Sequence, residues 1–460
     1  INTVFDTNFT NYHTTILAVF NFNSCNSCQK TARTVTNKFM KNRKAIFFLF
    51  AANTISGAAQ GISMIAIPWY FASILKMPAF FGSLYAFITF LALFWGLYVG
   101  TMIDRYNRKN IFLVVSVCGA IILLFASFSG YYSGGVHYLF TAFVFCSTYF
   151  IYSVHYPNLY AFAQEITEPV HYGRITSYIE IQGQLTSMLS GALAAVLLAG
   201  TKGGAIEGFS NILQLPEIKK WELHEIFLLD GITYIIAIAL ITLIRYNRIA
   251  ERVIEGGTII ARIRGGMQYL KLNPMVFLFG IATFSVFVTV LVIGFYLSPI
   301  YINAHLRGDA AVYAISDLFF AFGAVFSGVG IRWVFRKKNP VFAIILLSAL
   351  TVLVYFFNII NKDHFLFYVM TFLVGLSNAG IRILRITYLF NCVPNSVIGR
   401  VGSVFGMTNI ILRLFFISLF TLPFFLKEDN IVFAFMILAI FILLSVIPLV
   451  FRYKYLAKQG

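Results

Sequence analysis

Gly100-Thr-Met-Ile-Asp104-Arg105-Tyr-Asn-Arg108-Lys109 lies between two long apolar segments and decides how the rest of the chain is read. Gly100 lets two helices approach closely, Asp104 suits a helix N-terminus, and Arg105, Arg108 and Lys109 suit a membrane surface rich in anionic headgroups. A plain basic loop on the inner side of a membrane accounts for the three cations. It accounts for neither Gly100 nor Asp104.

The composition agrees with a membrane setting. The 460 residues are 59% hydrophobic and 11% charged, where soluble proteins carry about 25% charged residues. Fifty-one Phe and 25 Tyr suit lipid-facing and interfacial surfaces. The formal charge of +17 suggests nucleic acid only until the basic residues are placed. Most flank apolar segments, so the charge reports topology. Five scattered cysteines imply no disulfide framework, and Cys25-Asn-Ser-Cys28, without a second pair or a neighbouring His, reads as chance rather than a metal site. Residues 1–40 read as a disordered tail or an over-long start, because Met40-Lys41-Asn-Arg43-Lys44 leads straight into an apolar helix. A cleaved signal peptide fits less well, since the short apolar run 14–22 has no basic region before it.

Apolar segments of bilayer length, about 20 residues each, are expected at 45–75, 79–102, 111–132, 137–165, 172–199, 224–246, 275–303, 309–334, 340–361, 364–392, 399–426 and 430–451. The fold class is therefore an all-α polytopic membrane protein of twelve transmembrane helices. With both termini cytoplasmic, the inner side receives about three times as many Lys and Arg as the outer side. Two anchors recur. Gly100…Asp104-Arg105…Arg108-Lys109 has a counterpart in Gly328…Arg332…Arg336-Lys337, and Gly173-Arg174-x-x-Ser177 returns as Gly399-Arg400-x-x-Ser403. The offsets, 228 and 226 residues, nearly agree, which implies two six-helix halves, 41–246 and 275–460, joined by a linker at 247–274. The second copy has lost its carboxylate, with Arg332 where Asp104 would be. The linker reads equally as a short helix on the membrane surface or as a solvated connection.

The loop at 100–109 resembles the cytoplasmic loop between helices 2 and 3 of major facilitator superfamily transporters, with Asn107 where the family form usually has glycine. Ile55-Ser-Gly57, Ile65-Ala-Ile-Pro68-Trp69-Tyr70, Phe227-Leu-Leu-Asp230-Gly-Ile-Thr-Tyr234, Gly266-Met-Gln-Tyr269-Leu-Lys-Leu-Asn-Pro274, Val393-Pro394 and Gly399-Arg400-Val401 resemble a narrower branch. That branch is the drug:proton antiporters typified by macrolide and enterobactin-type siderophore exporters. The resemblance implies two six-helix bundles rocking about a central site in a bacterial cytoplasmic membrane. It also implies that Asp104 holds the 2–3 loop against the start of span 11 (Gly399, Arg400), and that Arg108 pairs with Glu165. Two departures stand out. Gly191-Ala192-Leu-Ala194-Ala195 lacks the proline of the antiporter motif, and span 4 has no arginine, so proton coupling is implied by the resemblance and not by a motif.

Charges inside a membrane are costly, so each is a functional candidate. Glu180, two turns into span 5 with Gln184 one turn on, is a candidate proton carrier or a structural partner for a cation in the other half. Asp317 in span 8 has a similar claim. Asp230 reads mainly as a carboxylate at the N-terminus of span 6. Arg382 and Arg385 share a face of span 10 and Arg413 lies within span 11. They pair with Glu180 or Asp317, or they recognise an anionic substrate group. Asn53, Gln60, Trp69 and Tyr70 in span 1, with His155 and Asn158 in span 4, are candidate cavity residues or packing contacts. There is no Walker A lysine, H-E-x-x-H or G-x-S-x-G, so neither an enzyme nor a fused ATPase is expected, and no cofactor or metal. The expected function is proton-coupled export of a hydrophobic or amphiphilic small molecule by a monomer whose partners are the lipid bilayer, protons and the substrate. An exporter of an anionic amphiphile, such as a siderophore or lysolipid, is the alternative. A non-transporting receptor on the same fold is a third reading.

Overall fold

The computed structural model describes residues 43–168, 171–202, 216–245, 259–335 and 339–459. The expectations for the tail and for Cys25-x-x-Cys28 lie outside these residues. Among the described residues the chain is helical without strands, and twelve helices are long and apolar enough to cross a membrane.

The first six spans are Arg43–Trp69, Pro78–Arg105, Arg108–Ser133, Tyr138–Glu165, Tyr172–Ala199 and Leu223–Thr242. A linker helix, Ile259–Leu272, follows. Span 7 is built from Pro274–Val292 and Ser298–Ala304, and spans 8 to 12 are Ala310–Val334, Pro340–Phe357, His364–Cys392, Asn395–Phe420 and Val432–Phe451. The face where span 1 begins and span 12 ends is called here the terminus side, and the opposite face the far side.

Local chemistry sets most of these ends. Pro78, Pro274 and Pro340 open spans 2, 7 and 9, where a missing N–H costs nothing. Asp309 and Asp363 cap spans 8 and 10 by accepting from Val312 N and Leu366 N. Span 6 carries a reciprocal capping box between Glu222 and Glu225. Asn107 stands where the resembling loop has glycine because it caps span 3, accepting from Lys109 N and Asn110 N. Gly134, at φ +72°, ends that span.

Among the boundaries that differ from expectation, two have clear reasons. Span 11 starts directly after Pro394, so Gly399 and Arg400 lie inside its first turns and not before it. Span 9 stops at Phe357, where Asn358 and Asn361 turn the chain and their carbonyls accept from the Tyr301 hydroxyl. Spans 1 and 7 share a feature that hydropathy does not encode: both loosen into a π-turn near the far side, Tyr70–Ile74 and Ile293–Leu297. Such turns concentrate at functional positions. Here they sit where the two halves meet.

Candidate functional site

The described contacts between spans 1–6 and spans 7–12 form a seam near the far side. Trp69 stacks on Tyr313 with ring centroids 6.3 Å apart, Phe81 meets Tyr296 at 6.4 Å, and Tyr85 meets Phe295 at 6.1 Å. Asn303, near the end of span 7, donates to Ser73 in the π-turn of span 1. Gly82 leaves just enough room for Tyr296 and Thr421, and Gly191 brings span 5 against the backbone of Ala314 and Leu318 in span 8. Small residues permit this close approach.

Toward the terminus side the same helix faces separate. Gly402 and Gly406 precede Arg413 by 11 and 7 residues, which puts all three on one face of span 11 at 100° per residue. A methyl group added at Gly402 or Gly406 would meet nothing within 4 Å. Gly96 lies 11 residues after Tyr85 on span 2 and is equally open. The halves thus touch beside Tyr85 and Arg413 and diverge below them. Among the described residues one ion pair bridges the divergent part, Arg382 Nη2 to Glu180 Oε2 at 3.6 Å.

That pair changes the reading of Glu180. Its side chain is 45% exposed and Arg382 is 41% exposed, so the carboxylate faces the wedge and is not buried. Its other oxygen, Oε1, accepts from Tyr160 of span 4 at 2.7 Å. Gln184 lies one turn on, half-buried. Arg385 takes a different course. It is buried, donates to the Thr283 carbonyl at 3.2 Å and lies over the Phe284 ring at 3.7 Å, inside the second half. Asp317 sits one turn below Tyr313 toward the wedge and makes no ion pair among the described residues. The three arginines therefore do not form one cluster, because spans 10 and 11 present them to different neighbours.

Arg413 is the buried cation of the seam. Its Nη2 donates to Tyr149 of span 4 at 3.1 Å, and its guanidinium lies 6.0 Å from the Tyr85 ring centre. Asn409, one turn earlier on span 11, is also buried. The sequence pointed to Arg413 by its charge. Tyr85, Tyr149 and Asn409 carried no comparable signal, although Asn409 is four residues before Arg413 on one face.

The candidates on spans 1, 4 and 6 divide. Asn53 does not line the space between the halves but is buried within the first half, and Gln60 on the same span is buried as well. Asn53 Oδ1 is 2.7 Å from His155 Nε2, beside a void of about 10 Å³ that also touches Ser56 and Ser116. That is room for about one water. Trp69 belongs to the seam, and Tyr70 ties span 1 to the 3–4 loop by donating to the Val136 carbonyl. Asp230 is not at the start of span 6. The capping box fixes that start at Leu223, so Asp230 lies two turns in, fully buried, with Ser63 of span 1 donating to Oδ2 at 2.7 Å.

The 100–109 loop is fastened inside the first half. Arg108 Nη1 donates to the Ala161 carbonyl at 2.6 Å and lies 3.5 Å from Glu165 Oε2. Asn158 Nδ2 returns a bond to the Arg108 carbonyl. Lys109 donates to the carbonyls of Thr242 and Ile244, capping the end of span 6 where the helix dipole favours a cation. Arg105 is exposed. Gly100 is half-buried, and the Asp104 side chain lies outside the described residues. Arg400 is exposed beside Gly265 and Gly266 of the linker helix, whose packing on span 11 leaves no space for a Cβ at Gly266.

An apolar groove of about 440 Å³ runs between spans 1 and 5, lined by Ile46, Phe47, Phe50, Ile181, Leu185 and Leu189. The span 5 residues lie on the face turned away from Glu180, Gln184 and Gly191, so this groove is separate from the seam. Among the described residues no group of His, Cys, Asp and Glu could hold a metal ion.

Twelve apolar spans meeting in a seam on one side and diverging on the other define a membrane transporter. Residues 49–417 match the model of the Major Facilitator Superfamily, and the chain belongs to that family. Solved structures share the fold. The nucleoside transporter NupG aligns with TM-score 0.66 at 11% identity over 89% of this chain and 99% of its own. A bacterial homologue of the iron transporter ferroportin in an inward-facing state aligns with TM-score 0.62 at 13% identity over 88% and 98%. A D-xylose-proton symporter aligns with TM-score 0.61 at 12% identity over 87% and 96%. No curated protein sequence matches the chain. The substrates named for these structures differ, so the likeness carries the fold and leaves the substrate to the site.

Proposed function

We propose that this chain exports an amphiphilic small molecule in exchange for protons, by alternating access across a bacterial cytoplasmic membrane. The observation that carries the reading is the asymmetry of one interface. The same faces of spans 2 and 11 are closed at Gly82 and Arg413 and open at Gly96, Gly402 and Gly406. An interface with a seam at one end and unfilled small residues at the other is suited to rocking, because the open end has space to close.

The terminus side is assigned to the cytoplasm from its excess of Lys and Arg, so the conformation described is open inward. Asp317 is the carboxylate best suited to carry the proton, since it stands at the head of the wedge without an ion-pair partner among the described residues, whereas Glu180 is engaged by Arg382 and Tyr160. Asp104 keeps its proposed place against the start of span 11 in the opposite conformation, and Arg108 and Glu165 would brace the loop there.

Reconstituted vesicles loaded with lipophilic dyes and macrolides test the reading. Under a pH gradient the wild type should move at least one of these amphiphiles. Asp317→Asn should abolish dependence on the gradient while substrate binding persists. Failure to move any amphiphile removes the export reading. Unchanged gradient dependence in Asp317→Asn, with loss in Glu180→Gln, transfers the coupling role to Glu180.

A further inference from the structure

The top of the wedge holds donors without acceptors. Arg413 is 8% exposed, and its Nε is buried with no hydrogen-bond partner. Asn409 is 6% exposed with its Nδ2 unpaired, and Tyr85 is 1% exposed with its hydroxyl unpaired. Among the described residues no carboxylate lies within 4 Å of Arg413. A buried guanidinium left this way is strongly unfavourable unless something else supplies the negative charge. Among the described residues it has the Tyr149 hydroxyl at 3.1 Å and the Tyr85 side chain beside it, and both are neutral.

We infer that Arg413, Asn409, Tyr149 and Tyr85 form a subsite for an oxyanion, a carboxylate or phosphate, carried as the headgroup of the transported amphiphile. The chemistry follows from the donor set. A guanidinium presents a planar fork that matches an oxyanion in two parallel bonds, and an amide N–H and phenol O–H groups add single bonds around it. At 1.5 Å per residue Arg413 and Tyr85 are each about 10 Å from the far ends of their helices, and Asn409 and Tyr149 about 16 Å. The four donors therefore occupy two adjacent levels directly above the open glycine faces. An apolar tail would extend down past Gly406, Gly402 and Gly96, where space is free.

The subsite also joins the halves. Tyr85 and Tyr149 come from spans 2 and 4, and Arg413 and Asn409 from span 11. An anion bound between them adds bonds that exist only while the far side is shut, so substrate binding from the terminus side favours the closed seam. Arg382 and Arg385 are excluded from this role by their own partners, Glu180 and the Thr283 carbonyl.

The inference rests on the transport reading for the identity of its ligand as cargo, and its test separates the two. Purified protein in a neutral detergent is titrated with dodecyl phosphate, dodecanoate, dodecanol, dodecyltrimethylammonium and inorganic phosphate, with thermal unfolding as the readout. At least one of the two anionic amphiphiles should raise Tm, while dodecanol and the cation do not. Arg413→Gln should weaken anion binding about tenfold or more, the size expected for loss of a charge-assisted pair. Tyr149→Phe and Asn409→Ala, which keep the guanidinium, should weaken it several-fold and carry the test if Arg413→Gln does not fold. Competition by inorganic phosphate at equal affinity would mark a free anion as the cargo, and a requirement for the chain would mark an amphiphile. Either outcome upholds the oxyanion subsite. Equal shifts with dodecanol, or wild-type anion affinity in the variants, overturn it. Movement of neutral amphiphiles without anion binding would retain transport and remove the subsite. Anion binding without movement of any amphiphile would do the reverse.

Discussion

Gly406→Leu isolates the rocking motion from the chemistry of the site. In the conformation described, the face of Gly406 is open, so a leucine there starts from a Cβ with no heavy atom within 4 Å and costs little. Closing the terminus side would bring spans 2 and 11 to the separation they already have at the far end, where Gly82 packs directly on Tyr296 and Thr421. A leucine inserted into such a contact costs about 1–3 kcal/mol by overpacking. Because the cost falls on one state alone, the equilibrium shifts roughly five- to 150-fold toward the far-closed state. The assay places a cysteine at Thr421, in the seam, in a background without the native cysteines. A membrane-impermeant maleimide is added from the far side. Labelling at Thr421→Cys should slow by that factor in the presence of Gly406→Leu, and transport should fall with it. Unchanged labelling and unchanged transport would show that spans 2 and 11 do not close at Gly406, and the rocking argument would fail.

Two further outcomes are expected. Arg382→Gln and Glu180→Gln each remove the one described ion pair across the wedge, which is made with the terminus side open, and each should shorten the life of that open state. Reversing the pair as Glu180→Arg with Arg382→Glu should restore the wild-type rate if attraction alone matters, and transport kinetics of the four proteins check this. Removing the Ser63 hydroxyl with Ser63→Ala leaves Asp230 buried without its one described donor, so thermal stability should fall by about 1–3 kcal/mol. An unfolding curve superimposable on the wild type would place Asp230 outside the fabric of the first half.

Much of the architecture was legible in the sequence because hydropathy, basic flanks and proline or Asx caps act locally. The Arg108–Glu165 contact was legible too, through the resemblance of the 100–109 loop that implied it. Orientation within the membrane was not. In a soluble helix the polar face is the outer face, but here a polar side chain can face its own half, the other half or the wedge. Asn53 turned inward for that reason, and Glu180 turned toward the wedge. Asp230 was read as lying at the start of span 6, although that start, expected at 224 and fixed by the capping box at Leu223, lies seven residues ahead of it. The π-turns at Tyr70–Ile74 and Ile293–Leu297 have no residue signature of their own and arise where spans 1 and 7 adjust to each other. Tyr85 and Tyr149 were indistinguishable among 25 tyrosines until the structure placed them beside Arg413.

The central claim is that closure on one side of the seam excludes closure on the other. Distances between spin labels test it directly, with one pair at Ser73 and Asn303 on the far side and another on the terminus-side thirds of spans 2 and 11. Two populations are predicted, short–long and long–short, and both an anionic ligand and Gly406→Leu should raise the share that is short on the far side and long on the terminus side. A single fixed distance on each side under all conditions, or both sides long at once, would contradict alternating access.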